Sequence, residues 1–394
     1  MSKLFSILAY GPFRVKYRPS NIPIIILINI PEAFPQHFRL KFDFFVYRTL
    51  KKSHSMVKWS TSVRETFSRK EDPTVTDQRK QDFMQDQTLK FLLRRFEEAG
   101  ISPKHKLGQN FLMDQNLLKL VVRSADIQPT DIILEVGTGT GGLTVQMAPL
   151  ARHVITVELD PQLFQLAGEE LFSCENVTML NQDILKNKNR LNPAVMEQIE
   201  ALRAQYPDAD LKLVANLPYS VATPIMTNLL ALPDPPKSMT VLIQKEVGER
   251  MMAEPNTKDY GALSLWCQCQ ADVRIVRIIP PGVFFPPPKV YSAIVHLEYR
   301  SEKRAKVTDL HRWHEFIRAM FFHRRKFLRS ELISCFKNQL GKSDVDLILD
   351  KMGLKPETRA EQLDLETMLK LCDTSYEIAE AKKNAGPADH VPVR

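Results

Sequence analysis

A glycine-rich turn between an apolar run and a helical segment constrains the fold of this chain more than any other feature. Residues 131–135 predict a short buried strand before the turn, and residues 143–150 predict a helix after it. The glycines of the turn are Gly137, Gly139, Gly141 and Gly142. Glycine lets a backbone turn sharply and approach a ligand closely. The order of strand, glycine loop and helix therefore predicts the ligand-binding edge of an α/β sheet.

Strand and helix signals alternate on both sides of this loop. Further strands are predicted at 153–158, 177–180, 211–215 and 238–243, and helices at 161–172 and 194–205. Such alternation is typical of a parallel, doubly wound sheet. Strand signals stop near Arg300, and short helices are predicted from there to about residue 385. We therefore expect a sheet domain over 86–299, a helical domain over 300–386 and a tail over 387–394.

Two acidic residues follow the next predicted strands. Glu158 ends the strand 153–158, where a carboxylate can accept hydrogen bonds from ribose hydroxyls. Asp183 lies beyond the strand 177–180, where it either contacts the adenine of a cofactor or caps a helix. The loop alone fits a dinucleotide or S-adenosylmethionine. Glu135, directly before the loop, and the motif downstream favour S-adenosylmethionine.

The motif Asn216-Leu217-Pro218-Tyr219 follows the apolar strand 211–215, at the edge where open α/β sheets bind ligands. An adenine 6-amino nitrogen is a poor nucleophile because its lone pair is delocalised into the ring. The Asn216 oxygen and a backbone carbonyl near Leu217 or Pro218 can accept its two N–H bonds. Tyr219 can stack on a base that has left its own stack. Because positioning can supply most of the rate effect, these residues predict methyl transfer to adenine with no metal.

The first 70 residues differ from the rest of the chain in charge. They contain 13 Lys or Arg and three acids, whereas the whole chain has a formal net charge of only +8. A nucleic-acid footprint on the folded part must therefore be a local patch. For residues 1–85 we expect a disordered tail, or an extension upstream of a native start at Met56, and a cytoplasmic protein. The alternative is a mitochondrial transit segment, since such segments are basic and poor in acids.

Cysteine and hydropathy patterns narrow the class of protein. The five cysteines show no zinc-ligand spacing, which indicates free thiols in a reducing compartment. The longest apolar run near the N-terminus, residues 24–28, is too short to span a bilayer. We therefore expect neither a metal site nor a membrane segment.

Seven blocks of this sequence, in order, resemble the KsgA-type family of rRNA adenine dimethyltransferases. The blocks are 106–112, 134–137 with 143–144, 157–160, 216–219, 244–247 with 250 and 260–261, 284–290 with 292, and 324–326. The resemblance covers roughly residues 90–372. It implies an α/β fold, a Rossmann-like S-adenosylmethionine methyltransferase sheet with a small C-terminal helical domain.

The resemblance also implies roles for individual residues. The residues expected to contact S-adenosylmethionine are Asn110, Leu112, Gly137, Glu158, Asp183 and Asn216. The catalytic set is Asn216, Leu217, Pro218, Tyr219 and Phe284, with Phe284 stacking on the target adenine. The family methylates two adjacent adenines near the 3′ end of small-subunit rRNA, each twice. The expected partner is therefore small-subunit rRNA or an immature small ribosomal subunit, bound by a monomer.

Three features depart from the family pattern. The stretch 187–210 is longer than the usual connection, Ser330 stands where the family has Asn, and residues 1–85 have no counterpart in the family core. A cationic helix face is predicted to contact RNA phosphates. Its residues are Arg318, His323, Arg324, Arg325, Lys326 and Arg329.

Three other functions remain open at this stage. A non-catalytic relative of the mitochondrial transcription factor type would bind nucleic acid only, although Asn216 and Tyr219 are intact. A dehydrogenase would use the same glycine loop but would give the motif at 216–219 no role. A protein-glutamine methyltransferase typically carries Asn-Pro-Pro-Tyr, whereas Leu217 stands at the second position here.

Overall fold

The computed structural model describes residues 14–16, 27–29, 89–104 and 107–384. The chain divides into two compact units, residues 1–80 and 81–394. In the first unit, strands β1 (Arg14–Lys16) and β2 (Leu27–Asn29) form a short antiparallel pair. The predictions for the remainder of 1–85 and for the tail 387–394 lie outside the described residues.

The second unit is built on a seven-stranded sheet with the order β11-β13-β10-β9-β4-β5-β6. Short pairs β3–β12 and β7–β8 lie outside this sheet. The strands are β3 (Phe111–Leu112), β4 (Ile132–Val136), β5 (His153–Glu158), β6 (Val177–Asn181), β7 (Leu185–Asn187), β8 (Arg190–Leu191), β9 (Leu211–Asn216), β10 (Ser238–Gln244), β11 (Ala271–Ile279), β12 (Phe284–Phe285) and β13 (Ser292–Tyr299). The five strands predicted by the alternating pattern are all present, within one residue at each end.

The sheet is mixed, which corrects the prediction of a purely parallel one. Strands β11 and β13 were not predicted, and β13 runs antiparallel to both β10 and β11. A parallel return needs a crossover of a dozen or more residues, usually a helix. The connection 280–291 contains five prolines, which exclude such a helix. The chain therefore returns directly and places β13 between its two neighbours.

Helices cover both faces of the sheet and follow it along the chain. They are α1 (Leu89–Glu98), α2 (Gln115–Ser124), α3 (Gly142–Met147), α4 (Pro161–Glu170), α5 (Pro193–Gln205), α6 (Ala222–Leu230), α7 (Lys245–Met252), α8 (Ala262–Gln268), α9 (Ser301–Arg304), α10 (Leu310–Met320), α11 (Leu328–Cys335), α12 (Lys342–Met352) and α13 (Leu365–Asn384). The predicted helix 143–150 ends early, at Met147, because Pro149 cannot continue it. The added helix in the long connection is present as α5, capped by the Asn192 side chain.

Alternate residues of the central strands pack into two hydrophobic clusters, one on each face. Ile132 and Leu134 belong to one cluster, and Ile133 belongs to the other. The first cluster continues into the C-terminal helices through Trp313 and Phe316, both almost fully buried. The helices beyond residue 300 therefore share a hydrophobic core with the sheet domain, and the boundary at 299/300 stays a prediction.

The strand order reverses at β4, which lies between β5 and β9. Ligands of open α/β sheets bind at such a point, beyond the carboxyl ends of the strands. The turns after β4, β5 and β9 meet there. No helix among the described residues is long and apolar enough to cross a membrane. All five cysteines carry free thiols.

Candidate active site

A cavity of about 250 Å³ opens at the carboxyl ends of β4, β5 and β9. Nine of the ten predicted site residues line it: Asn110, Leu112, Gly137, Glu158, Asp183, Asn216, Leu217, Pro218 and Tyr219. Segment 107–112 covers one side and also lines the cavity. We call residues 101–112 the strap, of which 101–104 and 107–112 are described. Residues that are far apart in the chain are therefore brought to one place by the fold.

The glycine loop needs glycine for two reasons. Gly137 and Gly139 have φ values of +84° and +57°, in the left-handed region that side chains disfavour. In addition, a Cβ at Gly137 would lie 3.5 Å from the Asn216 carbonyl oxygen and 3.7 Å from the Pro218 Cδ. The loop after β4 thus lies directly against the loop after β9.

Glu135 lies beneath the glycine loop and is almost fully buried. Its Oε2 accepts hydrogen bonds from the hydroxyls of Thr144 and Thr156, and Thr156 lies 2.6 Å from the Thr138 hydroxyl. Burial raises the pKa of Glu135 to about 8, against the opposing effect of the two threonine hydrogen bonds. In the sequence, Glu135 was singled out only as a residue before the loop that favours S-adenosylmethionine. The structure shows that it anchors the loop from below.

Glu158 connects the glycine loop to the end of β5. Its Oε2 accepts from the Gly139 amide at 2.9 Å, and its Oε1 accepts from the Asp160 amide at 2.9 Å. Burial raises the pKa of this carboxyl group. Each carboxylate oxygen can still accept a second hydrogen bond. Glu158 is therefore placed to accept from a ligand in the cavity.

The Asn216 side chain has one orientation that its surroundings allow. Its Nδ2 donates to the backbone carbonyl of Asn110 at 2.9 Å. A carbonyl can only accept, so the nitrogen end of the amide must face the strap. Among the described residues no group donates to Oδ1, which remains an acceptor at the cavity.

The two residues after Asn216 differ in what their carbonyls do. The Pro218 carbonyl accepts from the Val221 amide at 3.1 Å and so closes the turn into α6. Within the described chain, no N–H bonds to the Leu217 carbonyl. The Leu217 side chain is buried, and its amide donates to the Leu242 carbonyl at 3.1 Å.

Tyr219 is half-buried at the cavity wall. Its hydroxyl is hydrogen-bonded to the hydroxyl of Ser292, which is fully buried at the start of β13. Burial raises the pKa of the phenol. The unpredicted strand β13 therefore fixes the ring that was predicted to stack on the base.

Phe284 is the predicted residue that the structure does not bring to the cavity. It is 2% exposed and belongs to the hydrophobic cluster that contains Leu117 and Leu118. In the β3–β12 pair it lies opposite Leu112, so both side chains point to the core, whereas Phe285 lies opposite Phe111 on the other face. In this conformation its ring does not reach the cavity, and its stacking on the target adenine stays a prediction.

Asp183 and Asn110 make local hydrogen bonds at the rim. Asp183 is exposed, and its Oδ1 accepts from the Leu185 amide at 2.8 Å. The Asn110 Nδ2 donates to the Gly108 carbonyl at 3.2 Å. Both residues keep polar atoms for a ligand, because each of these bonds uses only part of the side chain.

The predicted cationic face is only partly available. Arg329 forms two hydrogen bonds with Asp346, at 2.5 and 2.8 Å, and Arg324 pairs with Glu361 at 3.2 Å. Arg318, Arg325 and Lys326 are exposed and have no acidic partner among the described residues. Phe322 beside them is 77% exposed. The free positive charge of this surface therefore lies in Arg318, Arg325 and Lys326.

The sequence did not indicate three further groups at the site. Asp160, Lys104 and Gln109 join the strap to the start of α4. Asp160 and Gln109 lie in motif blocks, but nothing in the sequence pairs them with each other or with Lys104. Their contact depends on the path of the strap across the sheet.

Comparisons with known proteins agree on one family. The model of the family described as ribosomal RNA adenine dimethylase matches residues 101–374. The chain is 38% identical over 275 residues to the ribosomal RNA small subunit methyltransferase A of Caldanaerobacter subterraneus, covering 69% of this chain and 97% of that protein. Its namesake from Lactiplantibacillus plantarum is 39% identical over 279 residues, covering 71% and 92%. Among solved structures, a dimethyladenosine transferase from Plasmodium falciparum superposes with a TM-score of 0.55 at 25% identity, covering 67% of this chain and 97% of that one.

Proposed function

The chain belongs to the ribosomal RNA adenine dimethylase family, and from this premise we propose that it dimethylates the 6-amino groups of two adjacent adenines near the 3′ end of small-subunit rRNA. The methyl donor in this proposal is S-adenosylmethionine. The substrate is the rRNA within an immature small ribosomal subunit. The observation that carries the proposal is the fixed orientation of the Asn216 amide, with Oδ1 left as an acceptor at the cavity.

The residues of the cavity fit the proposed methyl donor. Glu158 and Asp183 are carboxylates suited to its ribose hydroxyls and adenine amino group, and Gly137 leaves the cavity floor without a side chain. When bound, S-adenosylmethionine supplies a methyl group on an already activated sulfonium. Asn110 and Leu112 of the strap would hold the other side of the donor.

Two acceptors at the end of β9 suit the amino group of an adenine. The Asn216 Oδ1 and the Leu217 carbonyl accept from no donor in the described part of the chain, whereas the Pro218 carbonyl accepts from Val221 in the turn. Two N–H bonds directed at these oxygens make the amino nitrogen more pyramidal and orient its lone pair. The Tyr219 ring, held by Ser292, offers a surface on which the extruded base stacks. The methylated amine can lose its proton afterwards, so no strong general base is required.

RNA affinity in this proposal comes mainly from the exposed cations. Arg318, Arg325 and Lys326 would neutralise phosphates of a structured RNA, which is recognised largely by its shape and backbone. This supports a large folded substrate over a free nucleoside.

The test is transfer of labelled methyl from S-adenosylmethionine to immature small ribosomal subunits. Wild type should form dimethyladenosine, and Asn216→Ala should reduce the rate by about a hundredfold or more, the effect of losing a group that positions the reacting atom. Asn228→Ala is the matched control. Its Nδ2 also donates to backbone carbonyls, those of Lys188 and Pro224, but it does not line the cavity.

The outcomes separate the enzyme from a binding-only protein. Activity in wild type and Asn228→Ala, with loss in Asn216→Ala, supports the proposal. No transfer by wild type that still binds S-adenosylmethionine and RNA would overturn it in favour of a non-catalytic nucleic-acid-binding role.

A further inference from the structure

The strap touches the loop that carries the two proposed acceptors. The Asn110 carbonyl accepts from the Asn216 Nδ2, and Gly108 lies so close that a Cβ there would be 3.5 Å from the Tyr219 amide nitrogen. Gly108 has a φ of +66°, a conformation suited to glycine. The position of the strap therefore sets the position of the partner that orients Asn216.

The strap is held at its C-terminal end by the pairing of β3 with β12, and a second set of contacts joins it to Asp160 at the start of α4. Asp160 Oδ2 lies 2.7 Å from the Lys104 Nζ and accepts from the Gln109 Nε2 at 3.1 Å. The Lys104 amide donates to the Gln109 Oε1 at 2.7 Å, which joins the two described parts of the strap to each other. We call Lys104, Gln109 and Asp160 the tether.

Asp160 is a rigid anchor for this tether. Only 2% of it is exposed, its Oδ1 accepts from the Gln162 amide as the N-cap of α4, and its own amide donates to Glu158. Burial alone would raise the pKa of Asp160, but hydrogen bonds from Lys104 and Gln109 outweigh it and hold the pKa below its usual range. The anchor is thus ionised at neutral pH, and it is attached directly to the carboxylate proposed to bind ribose.

We propose that Asp160, with Lys104 and Gln109, is a positioning group for methyl transfer: the tether holds the strap so that the Asn110 carbonyl keeps the Asn216 acceptor turned toward the substrate. This inference rests on the proposed function. Asp160 does not line the cavity, and in this proposal its side chain acts through the strap. Loosening the tether lets Asn110 move, and the Asn216 amide then loses the contact that fixes its rotation.

Two variants loosen the tether with little damage to the fold. Asp160→Asn keeps an N-cap oxygen for Gln162 but removes the charge that faces Lys104. Lys104→Met removes the other charge from a side chain that is 46% exposed. Asp114→Asn is the matched control, because Asp114 caps α2 through Asn116 and Leu117 and has no side-chain bond to the described residues of the strap.

The first measurement is a double-mutant cycle in kcat for methyl transfer. Asp160→Asn and Lys104→Met should each lower kcat by about tenfold or more, whereas Asp114→Asn should leave it unchanged. In the Asn216→Ala background the tether variants should have no further effect, because the residue through which they act is gone. If the tether variants lower kcat in the Asn216→Ala background by the same factor as in wild type, the proposal is overturned.

The second measurement does not depend on activity. The side-chain amide signal of Asn216, assigned by its loss in Asn216→Ala, should shift toward that of a free amide in Asp160→Asn and Lys104→Met. It should not shift in Asp114→Asn. An unchanged signal in both tether variants would overturn the positioning role, even if wild type proved inactive on rRNA and the proposed function failed.

Discussion

At the scale of single residues, Glu135 is the clearest case of a carboxyl group whose ionised form is disfavoured by burial. Its pKa of about 8 in the folded protein lies above the value of 4.5 for a free side chain. The folded state therefore binds more protons between these pH values. The stabilisation that goes with this proton is complete below about pH 4.5 and is lost as the pH rises through 8.

Glu135→Gln should remove this pH dependence, because glutamine keeps an oxygen for Thr144 and Thr156 without an ionisable proton. We expect the free energy of unfolding of the variant to exceed that of wild type by a margin that grows from pH 5 to pH 8, reaching on the order of a few kcal/mol. Denaturant titrations of both proteins at the two pH values measure it. An equal difference at pH 5 and pH 8 would show that Glu135 is ionised throughout.

Phe284 has two alternative roles, packing in the core and stacking on the target adenine. Substitutions that differ in side-chain size and aromatic character distinguish them. Because it is buried against apolar neighbours, Phe284→Ala should lower the free energy of unfolding by about 3–5 kcal/mol. Phe284→Leu should cost much less and retain methyl transfer at close to the wild-type rate. If Phe284→Leu folds normally but loses most of its transfer rate, then the ring leaves the core to stack on the base, as first expected.

Sequence reasoning identified the residues of this site better than their contacts. Asn216 was predicted from the chemistry of its motif, but an amide has a donor and an acceptor of nearly equal size. Only the Asn110 carbonyl, from a distant part of the chain, decides which end faces the cavity. For Phe284, the motif does not show which face of a short strand points inward, and the structure places the ring in the core.

At the scale of elements, the glycine loop and the loop after β9 form one unit, since Gly137 lies against Asn216 and Pro218. Gly137→Ala should therefore weaken binding of S-adenosylhomocysteine by about tenfold, because alanine at φ +84° costs about 1–2 kcal/mol and shifts the loop. Gly353→Ala is the matched control, with φ +68° at the end of α12 and no atom within 4 Å of an added Cβ. Calorimetric titration should show weakened binding for Gly137→Ala and wild-type affinity for Gly353→Ala. Equal affinities of Gly137→Ala and wild type would show that ligand binding does not depend on the conformation of the glycine loop.

Four of the five predicted strands, β4, β5, β9 and β10, are buried apolar runs followed by a helix, whereas β6 is a partly buried edge strand followed by β7. The first four were predictable because burial of a parallel strand on both faces requires such an apolar run. Strand β11 lacks it, since its Arg274 and Arg277 place charges within the run. Its pairing with β13 is set by the proline-rich connection between them, and this is visible only once both strands are recognised. Because β13 was not predicted, the hydrogen bond between the hydroxyls of Tyr219 and Ser292 was not predicted either.

At the scale of the whole molecule, charge is concentrated in two places. The first 70 residues carry more net positive charge than the whole chain, and apart from β1 and β2 they lie outside the described residues. On the folded unit, Arg318, Arg325 and Lys326 remain without acidic partners among the described residues, while Arg329 is neutralised by Asp346. Counting basic residues in the sequence cannot distinguish a cation paired with a carboxylate from an unpaired one. The partner of Arg329 lies on a different helix, so the sequence does not show the pair.

This difference predicts a salt dependence. If Arg325 and Lys326 each neutralise one phosphate, Arg325→Ala and Lys326→Ala should weaken binding to small-subunit rRNA and each reduce the slope of log K against log salt by about 0.7–0.9. Arg329→Ala is the control: it removes the same charge, but its partner is Asp346, so the slope should stay at the wild-type value. Filter binding from 50 to 300 mM KCl measures all three slopes. Equal slopes for Arg325→Ala, Lys326→Ala and wild type would show that the RNA binds to another face.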